Sequence, residues 1–370
     1  MIPYVKGVTT HQAHVNVPAG TYEEEYARNG FSGRYAHLYR SEPPVGWVNI
    51  EGPLRPQAYD FRRIAADTNS HYLQARKAYL ENKDVRILYC KMNYEMNDFF
   101  RNGDADEVLF IHVGRGFIET DFGPIEYEPG DYIIIPRGTV YRIVCRERSE
   151  FLIVESLSEI RFPEKGMLGQ HALFDPAVLI TPEPRPSSLQ ADQYKLKIKR
   201  CDQYTTVTYP FNPINTVGWK GTLTVWKLNV RDIRPVLSDR YHLPPSAHST
   251  LVANNFVICT FLPRPLENGD AAAMKVPFYH SNIDFDEVLF YHQGQFFSRG
   301  GIEVGMMTFH PQGIHHGPQK EAIARSQNLK ETNEVAVMID TRNPLFTTGF
   351  AEQIEITDYW KSWSQSTGVR

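Results

Sequence analysis

Short apolar runs, each closed by glycine, proline or another turn-forming residue, recur along the whole chain. The clearest of them are VRILYC (85–90), GDYIIIP (130–136), YRIVC (141–145), FLIVES (151–156) and NFVICTFLP (255–263). Their length and their content of β-branched and aromatic residues are typical of β-strands. We therefore expect an all-β protein with only a few helices.

Helical patterning is weaker and is found in two segments. The better candidate is TNSHYLQARKAYLEN (68–82), and the weaker one is TYEEEYARNG (21–30). A proline-rich passage, ITPEPRPSSLQ (180–190), is a candidate linker, because proline blocks strand pairing and serine adds flexibility. It divides the chain into residues 1–179 and residues 191–370.

An internal repeat relates these two halves. The pentapeptide DEVLF occurs at 106–110 and again at 286–290, and a glycine follows at the same distance each time. A second block, G-x5-P-x-G, begins at Gly130 and recurs at Gly305, after five fewer intervening residues. Two matched blocks in the same order predict that one β module has been duplicated.

The blocks have the form E-x6-G and G-x5-P-x-G-x2-H, which resembles the two motifs of the cupin superfamily. Cupins are small jelly-roll barrels that hold a metal, so the resemblance implies a bicupin of two barrels. The first cupin motif places His-x-His before its glutamate, and here that segment reads His280-x-Asn282. The remaining candidates are His280, Glu287 and His316. Two imidazoles and one carboxylate suit a divalent first-row metal with open positions, in particular non-haem Fe(II).

Strand alternation places these side chains on one face. His280 and Asn282 should both point into the barrel, and Glu287 should return on the next strand. Asp286 is an alternative carboxylate, but the distance from Glu287 to Gly294 fits the motif better.

Other histidines near the motif need separate interpretations. The count from the preceding glycine selects His316, which leaves His315 pointing to the opposite side of the strand. His310 is interpreted as lying beside the metal or touching substrate. His292 mirrors His112 in the first copy, and we interpret it as structural. A single buried histidine is more often a hydrogen-bonded core residue than a ligand, so the metal interpretation depends on the combined spacing.

The first copy lacks the histidines. Phe100 and Tyr141 occupy their places, and Glu107 is left without an imidazole partner. Aromatic side chains of this kind would fill a structural barrel interior. We therefore expect a metal-free barrel within residues 1–179 and the metal site within residues 191–370.

Longer stretches of the chain resemble homogentisate 1,2-dioxygenases. The segments PFYHSN (277–282) and HPQGIHHGP (310–318) resemble the part of that family that supplies its iron ligands. YARNGFSGRYAHLYR (26–40) resembles two N-terminal stretches of the family, and YHLPPS (241–246) resembles the segment that bears its proposed catalytic histidine. The correspondence covers most of the chain at low similarity.

The resemblance implies roles for five histidine and glutamate residues. His280, Glu287 and His316 would be the iron ligands, His242 the acid/base, and His310 a histidine close to the iron. It also implies that homogentisate and O2 give maleylacetoacetate, as in tyrosine and phenylalanine breakdown. Members of the family assemble as trimers that pair into hexamers, so a homo-oligomer is implied as well.

Two features depart from the family. One extra residue separates the first iron histidine from the glutamate, which keeps Asp286 open as the carboxylate. Where the family has a tyrosine that touches substrate, this chain has Phe296, and a related hydroquinone acid is therefore an alternative substrate. We group Phe296 with Tyr279, Asn282 and His310 as residues beside the metal or in contact with substrate.

The expected chemistry needs few further groups. Fe(II) held by a facial triad leaves up to three positions, enough for a ring oxygen and O2. His242, titrating near neutral pH, would take the phenol proton; without the resemblance it would be interpreted as a solvent-facing loop residue, and His248 is its competitor. The substrate carboxylate needs a basic partner, for which Arg264, Lys275 and Arg299 are available.

Composition limits the remaining possibilities. The chain of 370 residues is 42% hydrophobic and 22% charged, which is typical of a globular protein, and its net charge of −4 argues against nucleic acid as a partner. The four cysteines form no CxxC pair, no signal sequence is evident, and no run approaches the roughly 18 apolar residues of a membrane span. We expect a cytoplasmic protein with no membrane partner.

Two rival functions stay open. One is another reaction on the same scaffold: a gentisate- or hydroxyanthranilate-type dioxygenase, or a cupin isomerase that uses Mn(II) or Zn(II). The other is a non-catalytic bicupin that binds a small ligand. A complete motif in only one of the two copies favours an enzyme, because a storage protein would not need to retain a site in one copy.

Overall fold

Strands make up most of the ordered structure. The computed structural model describes residues 4–65, 72–163, 173–240, 242–275, 277–296, 298–326 and 328–364. In the first part of the chain the strands are β1 (Tyr22–Ala27), β2 (Tyr35–Arg40), β3 (Gln57–Asp60), β4 (Lys77–Glu81), β5 (Val85–Met92), β6 (Phe99–Asn102), β7 (Asp106–Val113), β8 (Gly116–Thr120), β9 (Ile125–Tyr127), β10 (Asp131–Ile135), β11 (Val140–Cys145) and β12 (Ser149–Ser156).

The second part of the chain continues in the same style, with three short helices in the described residues. Its strands are β13 (Tyr194–Arg200), β14 (Gln203–Tyr209), β15 (Trp226–Asn229), β16 (Ser249–Val252), β17 (Phe256–Phe261), β18 (Arg264–Pro265), β19 (Tyr279–Asn282), β20 (Asp286–Gln293), β21 (Met306–His310), β22 (Glu331–Thr332), β23 (Val335–Thr341) and β24 (Phe346–Thr347). The helices are α1 (Tyr72–Ala75), α2 (Lys320–Ser326) and α3 (Gly349–Ile354). Each described helix is too short to cross a lipid bilayer.

Two sheets facing each other form the first barrel. One has the order β15-β10-β7-β12-β5-β4-β24, and the other has the order β14-β13-β6-β11-β8-β9. Apolar side chains from both sheets meet in a core that includes Leu109 of β7 and Ile143 of β11. Since they face each other across this core, the sheets enclose the interior that the sequence predicted to be structural.

The second barrel is built around the sheet β16-β17-β23-β20-β21-β3, with a three-stranded sheet β19-β1-β2 and the pair β18-β22. A single β-bridge between His280 and His316 connects β19 to the segment after β21. The all-β bicupin architecture predicted from the repeat is confirmed.

The two barrels exchange strands. Strands β13, β14 and β15 follow the proline-rich passage 180–190 and pair within the sheets of the first barrel. In the opposite direction, β1 and β3 pair with β19 and β21 of the second barrel. The change from the first barrel to the second therefore does not occur at residues 180–190, because the three strands that follow this passage still belong to the first barrel.

Side-chain alternation explains where the cores lie. In β20, Leu289 and Tyr291 pack inside the second barrel, whereas Val288 and Phe290 face the first barrel. Phe290 lies 6.4 Å from Phe110, its counterpart in the repeat, measured between ring centroids. The apolar runs are thus buried on both faces because one face fills a barrel and the other joins the two barrels.

Backbone conformation supports the duplication independently of the sequence match. Gly114 and Gly294 end matched strands with φ of 96° and 93°, in the left-handed region that favours glycine. A β-carbon on either residue would lie within 2.4 Å of a backbone oxygen, that of Arg148 or Asn333, just before the neighbouring strand. The same turn geometry is therefore required at this position in both copies of the repeat.

Both helix predictions need correction. Of residues 68–82, α1 covers only Tyr72–Ala75, Lys77–Glu81 form β4, and 68–71 lie outside the described residues. The segment 21–30 forms β1 instead of a helix. Its consecutive glutamates suggest an exposed surface, yet Glu23, Glu24 and Glu25 are all buried, so tertiary partners override the local preference.

The C-terminal segment packs against the second barrel. Tyr359 and Trp363 lie in a short 3-10 helix and are buried in the core that contains Tyr291. The indole N–H of Trp363 donates to the carbonyl oxygen of Gly317, at 3.1 Å. The last six residues lie outside the described part of the chain.

Candidate metal centre

The three predicted ligands come together inside the second barrel. Glu287 Oε2 lies 3.5 Å from His280 Nε2 and 3.6 Å from His316 Nε2. One potential ligand atom from each residue lies within 4.8 Å of the others. The three side chains thus converge on one point, as a facial set of metal ligands would.

The histidines present the nitrogens that a metal would need. His280 Nδ1–H donates to the carbonyl oxygen of Phe278, at 2.9 Å, which directs Nε2 towards Glu287. Within the described structure neither ring nitrogen of buried His316 has a hydrogen-bond partner. A buried nitrogen without a partner is energetically costly, and a metal ion would remove that cost. The residues present therefore fit a divalent metal.

His310 fixes the orientation of the carboxylate. It lies opposite Glu287 in the β20–β21 ladder, and its Nδ1–H donates to Glu287 Oε1 at 2.8 Å. The hydroxyl of Tyr359 donates to His310 Nε2, at 3.2 Å, which sets the tautomer. These two hydrogen bonds fix Oε1 of Glu287 against His310, so that Oε2 faces His280 and His316. His310 thus lies beside the triad, and its role next to a metal or a substrate stays a prediction.

Electrostatics keep the carboxylate ionised. Burial alone would raise the pKa of Glu287, but His316, His280 and His310 together hold it well below its usual range. Burial lowers the pKa of His310 to about 4, so its imidazole is neutral at physiological pH. The centre therefore combines an anionic carboxylate with the neutral imidazole of His310, and an ionised carboxylate is the form that binds a metal.

The two alternative ligands face elsewhere. Asp286 accepts hydrogen bonds from the backbone N–H groups of Gln312, at 2.8 Å, and Leu345, at 2.7 Å. His315 pairs through Nδ1 with Glu24 on β1. Each lies one residue from a member of the triad and points to the opposite side, as strand alternation requires.

A cavity of about 110 Å³ opens onto the triad. His280 and Glu287 lie in its wall, together with the aromatic side chains of Phe31, Phe261 and Phe278. This combination of aromatic walls, polar groups and a candidate metal site suits a small aromatic ligand.

His242 also lines this cavity. Its side chain is only 11% exposed, and its Nδ1 lies 3.5 Å from Glu267 Oε1. Burial lowers the pKa of His242 to about 4, which contradicts the expectation of titration near neutral pH and also the solvent-facing alternative. His248, the competitor, lines the same cavity, and burial lowers its pKa to about 3.

The structure separates the three basic candidates. Arg264 and Arg299 line the cavity, whereas Lys275 Nζ donates to Asn268 and to the carbonyl oxygen of Leu329 on another side. Arg299 is 6% exposed, and its Nε has no hydrogen-bond partner among the described residues. One Nη of each arginine donates to a backbone carbonyl oxygen, that of Ser298 for Arg299 and that of Leu262 for Arg264. The Nε of Arg299 is therefore the unsatisfied donor of this pair in the described residues.

Phe296, Tyr279 and Asn282, the other residues predicted to lie beside the metal or in contact with substrate, are not among the residues that line the cavity. Phe296 packs edge-on against Tyr291, with ring centroids 4.5 Å apart, and Tyr279 is buried in the same core. Asn282 shares the face of β19 with His280, and its side-chain amide is buried without a hydrogen-bond partner in the described residues. Of these three, only Asn282 has polar atoms that point towards the region of the triad by alternation.

In the first barrel, a guanidinium occupies the position that corresponds to the metal site. Phe100 and Tyr141 pair in register, as His280 and His316 do in the second barrel. Between them, Arg76 Nη2 lies 2.5 Å from Glu107 Oε1 and 2.7 Å from Glu155 Oε1.

Two tyrosines complete this first-barrel centre. The Tyr141 hydroxyl donates to Glu107 Oε2, at 2.9 Å, and Arg76 Nη1 lies 3.1 Å from the Tyr72 hydroxyl. The predicted structural interior is therefore present, but with an internal cation that the repeat could not reveal. Arg76 lies just before β4 and outside the repeated blocks, so comparison of the two copies could not identify it.

Sequence reasoning also missed Glu25 and Glu334, both of which line the cavity. Glu25 belongs to the acidic run that suggested an exposed helix. Glu334 lies 4.0 Å from Arg264, and burial raises its pKa to about 7. Of the two, Glu25 lies in a segment that has a recognisable sequence pattern, the acidic run that forms β1.

Comparisons with known proteins agree with these observations. A family model described as homogentisate 1,2-dioxygenase N-terminal matches residues 68–230. The protein named putative dioxygenase SSO1533 from Saccharolobus solfataricus is 34% identical over 362 residues, covering 93% of both chains. Homogentisate 1,2-dioxygenase from Sinorhizobium fredii is 24% identical over 340 residues, covering 87% of this chain and 71% of its own.

One similar solved structure covers most of this chain. The cupin 2 conserved barrel domain protein from Leptotrichia buccalis is 10% identical and covers 80% of this chain and 100% of its own, with a TM-score of 0.37.

Proposed function

Because the chain belongs to the homogentisate 1,2-dioxygenase family, as a divergent member, we propose that it opens the ring of a hydroxylated aromatic acid with O2. The observation that carries the proposal is the triad of His280, Glu287 and His316, of which His280 and Glu287 line a cavity with aromatic and arginine side chains. Homogentisate is the proposed substrate, and maleylacetoacetate, which contains both atoms of O2, is the proposed product.

The metal that we propose is Fe(II), held by the three triad residues. When bound, it would supply the redox chemistry that couples oxidation of the ring to reduction of O2. The protein's own part is to hold the carboxylate in place through His310 and Tyr359. Outer partners of this kind determine metal affinity as well as ligand orientation.

His242 is the proposed proton acceptor. Since burial keeps its imidazole neutral at physiological pH, it can accept a proton from a phenol that enters the cavity. Glu267, 3.5 Å from Nδ1, would stabilise the resulting imidazolium. The edge-on contact with Phe278, at 4.6 Å between ring centroids, holds the ring in place.

Arg299 and Arg264 are the proposed partners of the substrate carboxylate. Both guanidinium groups are buried, where a charge-assisted hydrogen bond contributes more than it would in water. Arg264 has two carboxyl neighbours, Glu334 at 4.0 Å and Glu267, and burial raises the pKa of Glu334 to about 7. Arg299 is the stronger candidate because its Nε lacks a partner in the described residues.

The test is oxygen uptake by anaerobically Fe(II)-loaded protein with homogentisate, gentisate and 3-hydroxyanthranilate in parallel. We expect rapid uptake with homogentisate, together with the absorbance of a ring-opened product. His316→Ala should abolish it. His315→Ala is the matched control, because the neighbouring histidine pairs with Glu24 outside the triad and its loss should leave uptake intact.

Other outcomes separate the alternatives. Uptake with gentisate or 3-hydroxyanthranilate instead would keep the dioxygenase chemistry and replace the substrate. If iron binds but no ring compound consumes O2, the dioxygenase proposal is wrong and a small-ligand-binding bicupin takes its place.

A further inference from the structure

A second cluster of metal-ligating side chains lies beside the candidate centre and plays no part in the proposed reaction. It consists of His14 in the N-terminal segment, Glu23 on β1 and His37 on β2. One potential ligand atom from each residue lies within 4.8 Å of the others. The donor set, two imidazoles and one carboxylate, is the same as in the triad.

Three separate parts of the chain create this cluster. Glu23 and His37 lie on the same face of the β1–β2 pair, because Glu23 opposes Tyr39 and Glu25 opposes His37. His14 approaches from the segment that forms a β-bridge between Val15 and Ala273. Long-range packing, and not a local turn, therefore brings the three residues together.

The contacts are close and mostly buried. His14 Nδ1 lies 2.7 Å from Glu23 Oε1, and the side chains of both residues are at most 3% exposed. The rings of His14 and His37 meet edge to face, with centroids 4.8 Å apart. His37 Nε2 is buried without a hydrogen-bond partner among the described residues, so this imidazole has a donor atom directed into the protein that no described group satisfies.

The charge around the cluster also favours a cation. Glu25 Oε2 lies 3.9 Å from His14 Nε2, so a second carboxylate borders the site. Two carboxyl groups and two imidazoles in a mostly buried place offer oxygen and nitrogen donors to a divalent ion. Imidazole and carboxylate together suit first-row divalent metals such as Zn(II) and Co(II), with ligand distances of about 2.0 to 2.2 Å.

We propose that His14, Glu23 and His37 form a second binding site for a divalent first-row metal ion, distinct from the triad. The ion would fasten the N-terminal segment against the wall of the cavity. His14 contacts Phe278 and His242, with ring centroids 4.4 Å and 6.0 Å apart, and both of these residues line the cavity. The proposed ion would therefore support that wall of the cavity.

The test is the metal stoichiometry of untagged, chelator-stripped protein titrated with Co(II), read from visible absorption and from metal content after gel filtration. We expect two Co(II) per chain in the wild type and one in His37→Ala. Glu23→Gln, which preserves side-chain shape, should also bind one. His11→Ala is the matched control, since His11 is an exposed histidine of the same segment, and it should still bind two.

Combination with the triad separates the two sites. His316→Ala should bind one Co(II), and the double variant His37→Ala/His316→Ala none. If His37→Ala and Glu23→Gln bind as much metal as the wild type, the second site does not exist. If His316→Ala still binds two while His37→Ala binds fewer, the triad proposal fails and the second site stands.

Discussion

Arg76 is predicted to act as a permanent internal counter-ion in the first barrel, and its removal tests that role directly. In the variant Arg76→Met, Glu155 keeps Lys199 Nζ at 2.7 Å and Asn102 Nδ2 at 2.9 Å. Glu107 keeps only the Tyr141 hydroxyl among the described residues. The uncompensated charge would therefore lie on Glu107.

The magnitude follows from this asymmetry. Removing one partner of a buried ion pair costs about 3–5 kcal/mol, because the other charge stays buried without compensation. Glu107→Gln removes that charge, so Arg76→Met/Glu107→Gln should recover at least about 1 kcal/mol relative to Arg76→Met alone. The two substitutions would then be strongly non-additive, as expected for residues in direct contact.

The assay is urea unfolding followed by tryptophan fluorescence, with the free energy of unfolding compared among wild type, both single variants and the double variant. Arg115→Met serves as the control, because Arg115 is 62% exposed and its nearest carboxylate, on Glu147, is 3.8 Å away. Its cost should stay below about 1 kcal/mol. If Arg76→Met costs no more than Arg115→Met, or if the two first-barrel substitutions simply add, the counter-ion interpretation is refuted.

Three further predictions concern the second barrel and the contact between barrels. Tyr359→Phe removes the hydroxyl that donates to His310, and we expect the affinity of the triad for Co(II), measured by chelator competition, to fall about 10- to 100-fold; unchanged affinity would contradict the positioning role. Burial lowers the pKa of His112 to about 4 and of His292 to about 3, and their Nδ1 atoms lie 2.9 Å apart between the barrels. The unfolded chain binds these two protons at a higher pH than the folded protein does, so the contribution of the two histidines to stability is complete above about pH 6.5 and is lost as the pH falls towards 4. The free energy of unfolding should therefore decline by about 2 kcal/mol per histidine between pH 7 and pH 5. An equal decline in His292→Leu would exclude this source. Arg299→Gln should raise KM for homogentisate about 10- to 100-fold with kcat little changed, and a fall in kcat alone would exclude carboxylate binding.

The parts of the structure that the sequence could predict are those with a fixed period or spacing. Apolar runs predicted the strands because a strand buried on both faces needs apolar residues at consecutive positions. The spacing of His280, Glu287 and His316 predicted their convergence because alternate residues of paired strands share a face. The repeat predicted two barrels because each block carries the turn glycines its hairpins require.

Long-range partners account for what could not be predicted. The run Glu23–Glu25 has the composition of an exposed helix start, and only its contacts with histidines and Arg40 make a buried strand possible. His242 lies in a proline-rich segment that gives no sign of burial, yet its side chain is 11% exposed. Strand exchange between the barrels is likewise invisible to local patterns, because any edge strand can pair with either sheet.

The two barrels offer different solutions to one electrostatic problem. Each interior keeps a glutamate at the same position of the repeat, and the strand beside it carries a second acidic residue, Glu155 or Asp340. In the first barrel Arg76 compensates both carboxylates and, with Lys199, keeps the pKa of Glu155 low despite burial. In the second barrel the histidines compensate Glu287, while burial and the neighbouring carboxylates raise the pKa of Asp340 well above its usual range.

This difference separates a barrel whose interior is filled from one whose interior can hold a metal. A guanidinium is a permanent charge whose donors are already used by the surrounding carboxylates and hydroxyls, so it leaves no position for a ligand. Two imidazoles and one carboxylate, by contrast, satisfy only part of a metal's coordination, and His280 and Glu287 face an open cavity. Filling one barrel with an internal cation therefore leaves the other barrel as the place for the proposed metal.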